Sequence, residues 1–201
     1  MVTTNVHKMT ENNIKAILFD FMGVLLFKRG NYVPDPLVDE IDNIIGSVTN
    51  DQLFEEETCK KFHLTKNEFD GILDKVINKY EPYQPLWDSL PNLRKNYKLA
   101  IVNNGTSLTL SKFKSKLGLD IKFDAFVSSA LKGMKKPEPE IYLFSAKKLG
   151  VIPSECLFMD DSYENIKGAN QVGMKTLWWN KEKERDEMLQ ELISLVNISQ
   201  S

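Results

Sequence analysis

The sequence predicts an α/β fold in which a mostly parallel, doubly wound sheet lies between layers of helices, with a small helical segment inserted after the first strand. Three observations carry this. Short apolar runs of strand character alternate with longer helix-like stretches. Each short run is a handful of mostly apolar residues bounded by turn or polar residues, as in strands covered on both faces. One long stretch between the first and second runs has helical periodicity only.

The strand-like runs are Ala16–Phe19, Leu99–Val102, Phe123–Val127, Cys156–Met159 and Lys175–Trp179, each bounded by turn or polar residues. Leu86–Lys95 precedes the second run as a helix. Leu108–Leu117 follows it and stops at Gly118. Pro139–Leu149 stops at Gly150, with Lys147 and Lys148 placed to suit the helix dipole. Glu164–Val172 stops at Gly173, and Glu182–Val196 carries Met188, Leu189, Leu192, Ile193 and Val196 on one face. Strand alternating with helix argues a parallel sheet. From Lys28 to Pro85 the pattern holds helices and no convincing strand. Leu37, Ile41, Ile44 and Ile45 recur at helical spacing, and Thr65 with Glu68 forms a capping-box pattern ahead of Phe69, Ile72, Leu73, Val76 and Tyr80. Such an insertion would stand above the carboxyl ends of the strands, where open α/β sheets bind ligands.

Composition narrows the function classes. The 201 residues suffice for one sizeable core with a modest insertion. A net charge of −2 and a pI near 5.8 give no general basic footprint for nucleic acid. Only Arg29, Arg94 and Arg185 are arginines, so few planar forks exist for bidentate phosphate recognition. Cys59 and Cys156 suggest neither a disulfide framework nor a metal site, and Cys156 opens an apolar run as a buried thiol would. Met1 to Lys15 lacks the apolar core of a signal peptide, and no apolar stretch approaches the length of a membrane span. A reduced, cytoplasmic protein with no membrane or nucleic-acid partner is the simplest expectation; nothing specifies an oligomeric state.

The polar residues cluster at the ends of the runs. Asp20 ends AILFD, Asn103 follows LAIV, Lys136 follows the FDAFVSSALKGMK segment, and Asp160 and Asp161 end CLFMDD. In a parallel sheet these ends share one edge. Singly, each has an ordinary explanation: a strand-end aspartate is commonly a turn former or helix cap, and a lysine beside proline is commonly solvated. Their joint order and spacing point to a site.

That joint pattern resembles the haloacid dehalogenase-like superfamily, through ILFDFMGVLL around Asp20, AIVNNGT around Asn103, KKPEPEIY around Lys136 and LFMDDSYENIKGANQVGM around Asp160. The resemblance spans about residues 14–180. It implies a Rossmann-like three-layer core, residues 1–27 and 86–201, and a small all-helical cap, residues 28–85, that shapes the substrate pocket. It implies a phosphatase of a small phosphorylated metabolite in which Asp20 attacks phosphorus and forms an aspartyl-phosphate. A carboxylate is ionised at neutral pH and needs no base to do so. The resemblance further implies Mg²⁺ held by the Asp20 carboxylate, the Met22 carbonyl and the Asp160 carboxylate, with Asp161 either a ligand or a support. Lys136 would hold the phosphate and offset Asp20. Asn103 and Asn104 fall to phosphate binding, as do the amides around Phe21, Met22 and Gly23, where glycine permits close approach.

Two residues depart from the pattern. Met22 stands where most family phosphatases carry a second aspartate that protonates the leaving group, and a thioether carries no proton. General acid–base help is worth about 10²–10⁴-fold, so good leaving groups are favoured. Asn103 stands where Ser or Thr is usual; its amide can donate to a phosphate oxygen, and Thr106 or Ser107 are alternatives. These departures keep a second reading open, a weakened or non-catalytic phosphate-ligand or partner-binding protein. A 2-haloacid dehalogenase fits less well, because Asp160 and Asp161 would repel the substrate carboxylate. Of the remaining residues, His7 and His63 are poor ligand candidates, Lys28 and Arg29 read as a solvated hinge, Trp178 and Trp179 as packing, and Lys181–Glu187 as a charged helix start.

Overall fold

The computed structural model describes residues 13–196; the expectation for His7 lies outside them. In chain order the elements are β1 (Ala16–Phe19), β2 (Leu26–Lys28), α1 (Pro36–Ile45), α2 (Asp51–Phe62), α3 (Lys66–Asn78), β3 (Tyr80–Pro82), α4 (Gln84–Leu93), β4 (Lys98–Asn103), α5 (Ser107–Leu117), β5 (Ala125–Ser128), α6 (Ser129–Lys132), α7 (Pro139–Leu149), β6 (Cys156–Asp160), α8 (Tyr163–Gln171), β7 (Lys175–Trp178) and α9 (Arg185–Leu195). Five strands pair in the order β5-β4-β1-β6-β7, every neighbouring pair parallel. The chain runs outward from β1 to β4 and β5, then returns to β6 and β7 on the other side. The C-terminal edge around β1 is therefore the switch point where such sheets place their ligands.

Alternating side chains of the central strands feed two cores. Ile17, Phe19, Leu99, Ile101, Leu157 and Met159 pack with the side chains of α4, α5 and α9. Ala16, Leu18, Ala100, Val102 and Phe158 pack on the other face with Ile141, Tyr142 and Ala146 of α7 and Ile166 and Ala169 of α8. β1 is buried along its whole length, which explains its unbroken apolar run. Cys156 is a fully buried free thiol, Trp179 is buried, and Trp178 is 41% exposed.

Helices α1–α3 carry a separate apolar cluster that includes Val38, Ile41, Phe54, Phe69, Leu73 and Val76. Each helix is started by its own cap: Asp35 accepts from Leu37 and Val38, Asn50 from Leu53, and Thr65 with Glu68 closes the capping box the sequence announces. His63 ends α2 in the left-handed conformation and is exposed, as a helix-end residue should be. One expectation is corrected. The segment from Lys28 to Pro85 is not free of strand, because Leu26–Lys28 and Tyr80–Pro82 form a two-stranded antiparallel sheet at its base. Each strand has three residues and β3 contains a proline, so neither shows a periodic signal. The last helix starts at Arg185 rather than Glu182.

Candidate active site

β1 ends at Phe19 and delivers Asp20 to the sheet edge; β6, beside it, ends on Asp160. The loop after α6 brings Lys136 between them. Its Nζ donates to Asp20 Oδ1 at 2.6 Å and to Asp160 Oδ2 at 2.7 Å, with all three residues buried. The Asp160 carboxylate accepts four hydrogen bonds from the described residues. Its Oδ1 takes the Ser162 N–H at 2.8 Å and Asn165 Nδ2 at 3.0 Å, and its Oδ2 takes Lys136 and Asn165 Nδ2 at 3.1 Å. Asp161 instead pairs with the exposed Lys181, at 2.8 Å. One carboxylate oxygen from each of Asp20, Asp160 and Asp161 lies within 4.8 Å of the others.

Glycines make room for this cluster. Gly23 has φ +89°, and a Cβ there would fall 2.2 Å from Asp161 Oδ2. On α8, a Cβ at Gly168 would fall 2.4 Å from the Pro137 carbonyl, so that glycine lets the lysine loop seat against the helix. The Gly23 N–H donates to the Leu26 carbonyl at 2.8 Å and is committed within its own turn.

Charge is unbalanced here. Burial pushes the Asp20 carboxyl up to about 7; Lys136 pulls it down, while Asp160 and Asp161 add to the rise. Burial also works against the Lys136 ammonium, but Asp20 and Asp160 more than offset it and its pKa rises. The buried Lys136 ammonium thus serves two of the three carboxylates, and the exposed Lys181 the third. An all-oxygen, strongly negative donor set of this kind suits a hard divalent cation such as Mg²⁺.

Above the edge lies a cavity of about 350 Å³. Asp20, Met22, Asn103, Asn104 and Lys136 line it from the sheet, and Asp42, Asn43, Ile45 and Val76 from the helical segment. Asn103 is the last residue of β4 and 7% exposed; a Cβ at Gly105 would come 2.9 Å from its Nδ2. Asn104 also lines the cavity, but its amide is engaged with the Lys136 backbone. Thr106 and Ser107 are occupied elsewhere. Both hydroxyls donate to the Asp51 carboxylate at the start of α2, and the Ser107 N–H donates to Asp51 Oδ1 at 3.0 Å. Lys28 is exposed, and Arg29 lies 3.7 Å from Glu81 across the small sheet.

The sequence reading missed Asn165, Asp42 and Asp51. Asn165 had a signal: it stands five residues after Asp160, in the first turn of α8, and so faces back to the strand end. Asp42 and Asp51 gain their positions only through tertiary packing.

Fold and strand-end cluster together define an α/β protein with an acidic, lysine-bridged site at its switch point. A family model for haloacid dehalogenase-like hydrolases matches residues 14–173, and the chain belongs to that family. It is 32% identical to a glyceraldehyde 3-phosphate phosphatase of Methanopyrus kandleri over 53% of this chain and 46% of that one. It is 28% identical to (S)-2-haloacid dehalogenase 2 of a Pseudomonas species over 58% of this chain and 52% of that one. The chain spans about half the length of these two relatives. A HAD family enzyme of Bacteroides thetaiotaomicron, solved with magnesium and inorganic phosphate, superposes with a TM-score of 0.67 at 19% identity, covering 85% of this chain and 96% of that one. Among the described residues, no helix is long and apolar enough to cross a membrane.

Proposed function

We propose that this chain is a Mg²⁺-dependent phosphatase of a small phosphorylated metabolite, with Asp20 as nucleophile. The observation that carries the reading is the Lys136 ammonium bridging Asp20 and Asp160 at a switch-point edge. The phosphatase and magnesium–phosphate relatives support it.

In this mechanism Lys136 orients the Asp20 carboxylate and offsets its charge as phosphate approaches. An Asp20 oxygen bonds to phosphorus while the bond from phosphorus to the leaving oxygen breaks, giving an aspartyl-phosphate and an alkoxide. Water then cleaves the acyl phosphate and returns Asp20 as a carboxylate. Met22 lines the cavity beside Asp20 and cannot supply the leaving group's proton, so that proton comes from solvent. Asn103 donates to a phosphate oxygen. Asn104, whose amide is spent on Lys136, acts as a positioning residue rather than a phosphate ligand, and Gly23 acts by giving Asp161 space.

The hydrogen bonds favour one choice of metal ligands. Asp160 has donors on both carboxylate oxygens and holds Lys136, whereas the Asp161 carboxylate carries only the exposed Lys181 among the described residues. Asp20, Asp161 and the Met22 carbonyl would therefore ligate Mg²⁺, with Asp160 behind them. Bound Mg²⁺ would neutralise charge on the transferring phosphoryl group. Residues 28–85 would act as the cap over a core of residues 1–27 and 86–201, since Asp42, Asn43, Ile45 and Val76 close the cavity.

Met22 and Asn103 favour a second reading, a phosphate-ligand binding protein of little or no turnover. Hydrolysis of p-nitrophenyl phosphate and acyl phosphates decides between them. Turnover that needs Mg²⁺ and vanishes in Asp20→Asn supports the phosphatase; activity surviving EDTA or Asp20→Asn excludes it. Ligand-induced thermal stabilisation without turnover supports the binding protein.

A further inference from the structure

We propose that Asp42, on the helical segment, sets substrate specificity by selecting a leaving group that carries a hydrogen-bond donor, hydroxyl or ammonium, and rejecting one that carries a carboxylate. This rests on the phosphatase reading and names the substrate class for the same site.

Asp42 lines the 350 Å³ cavity that also contains Asp20 and Lys136. Its position is fixed from behind. Asp42 Oδ2 accepts from Lys79 Nζ at 2.6 Å and from the Tyr80 hydroxyl at 2.6 Å. Lys79 is 3% exposed and also donates to Asp39 Oδ1 at 2.5 Å. One buried ammonium is thus shared by two carboxylates, and Lys28, over the Tyr32 ring, adds a second positive charge on the Asp39 side. Asp42 Oδ1 takes no hydrogen bond among the described residues, so it is the acceptor left for a ligand. Its neighbour Asn43 adds an amide to the same wall.

The rest of the lining offers a carboxylate an amide at Asn43 and no free cation. Lys136 is the one cation among the described residues around the cavity, and its charge is taken by Asp20 and Asp160. Phe21, Ile45, Val76, Leu110 and Phe113 supply apolar wall. A phosphate seated at Asp20 would direct its leaving group toward this chamber. A second carboxylate there would face Asp42 with no free cation on the lining to offset it, a like-charge juxtaposition. A hydroxyl or ammonium would donate to Asp42 Oδ1. The volume, at the low end for small-molecule sites, restricts the leaving group to a few carbons.

Glycerol 1-phosphate, phosphoethanolamine and phosphoglycolate present a hydroxyl, an ammonium and a carboxylate at similar size. They are compared on the Mg²⁺-loaded full chain by kcat/KM, or by calorimetric Kd for any ester that is not turned over. The wild type is expected to favour the first two over phosphoglycolate by about tenfold or more. Whichever of the two leads identifies the donor. Asp42→Asn should shrink the gap about tenfold, mainly by lowering KM or Kd for phosphoglycolate, while Asp42→Glu and Asp39→Asn preserve the order. A wild type that prefers phosphoglycolate, or an Asp42→Asn variant that changes all three esters by one common factor, overturns the proposal. The wild-type ratio decides even if the variant does not fold. Failure of p-nitrophenyl phosphate hydrolysis alongside would sink the phosphatase reading separately, with the ratio still legible in Kd.

Discussion

Asn104 and Lys136 hold each other by a reciprocal pair of hydrogen bonds. Asn104 Nδ2 donates to the Lys136 carbonyl at 2.9 Å, and the Lys136 N–H donates to Asn104 Oδ1 at 2.8 Å. The loop after β4 thereby fixes the backbone from which the bridging ammonium extends. Asn104→Ala should lower kcat about 10–100-fold, the range for groups that orient a functional side chain. It should also cost about 1–3 kcal/mol of stability, because two backbone groups lose their partner. Steady-state kinetics and urea unfolding on the same variant check both. An unchanged kcat with lowered stability would reduce Asn104 to a structural role.

The Asp20 carboxyl, raised to about 7 by burial and by Asp160 and Asp161 against the pull of Lys136, gives a signed pH dependence. In the unfolded chain the group titrates near 3.8. Between those values the unfolded chain has released the proton while the folded one retains it, so this group's contribution to metal-free stability falls as pH rises from about 4 to about 7 and is level above. A divalent cation needs the carboxylate, so Mg²⁺ must displace that proton below pH 7. Thermal stabilisation by Mg²⁺ should be small at pH 5.5 and large at pH 8, and calorimetry in buffers of different ionisation enthalpy should show proton release at pH 6 that fades by pH 8. A Mg²⁺ effect independent of pH would show that Asp20 is not a ligand.

Asp51 ties the helical segment to the start of α5. Its carboxylate receives the Thr106 and Ser107 hydroxyls and the Ser107 N–H, and further along α5 Lys112 pairs with Asp70 at 2.9 Å and Asp74 at 2.7 Å. Thr106 is fully buried, so Asp51→Ala leaves a buried hydroxyl to find a new partner. The expected cost is about 1–3 kcal/mol in urea unfolding. The Lys112 pairs involve exposed acids and should contribute about 0–1 kcal/mol, lost at high salt. A salt-insensitive Asp51→Ala loss beside a salt-sensitive Lys112→Ala loss would separate the two kinds of contact.

These contacts mark what could be seen in the sequence. Ala16–Phe19 was legible to the residue because burial on both faces leaves four consecutive apolar side chains. Asp20 was legible because a parallel sheet sends strand ends to one edge, and Lys136 because its loop returns to that same edge after β5 and α6. The small sheet was not: Leu26–Lys28 and Tyr80–Pro82 are far apart in sequence, and three-residue strands carry no period. The difference between Asp160 and Asp161 was also hidden. Adjacent aspartates look alike in one dimension, and only the strand end turns one toward Lys136 and the other toward Lys181. Asp42 had no local signal at all, since an acidic residue on an amphipathic helix usually faces water.

Met22 offers the most direct test of what limits turnover. It lines the cavity with Asp20, is only half-buried, and stands two residues after Asp20. A carboxyl group there could reach the leaving oxygen from the turn that follows β1, and partial exposure spares it the full cost of burying a charge. Met22→Asp should raise kcat for esters with poor leaving groups by about 10²-fold or more, the lower end of general-acid catalysis, and much less for p-nitrophenyl phosphate, whose leaving group needs no proton. The leaving-group dependence of kcat/KM should flatten accordingly. A uniform gain across the series would point to altered binding rather than proton transfer. No gain on any ester, in a variant that still binds Mg²⁺, would shift the deficit to Asn103, and Asn103→Ser in the Met22→Asp background is then the variant that should restore activity.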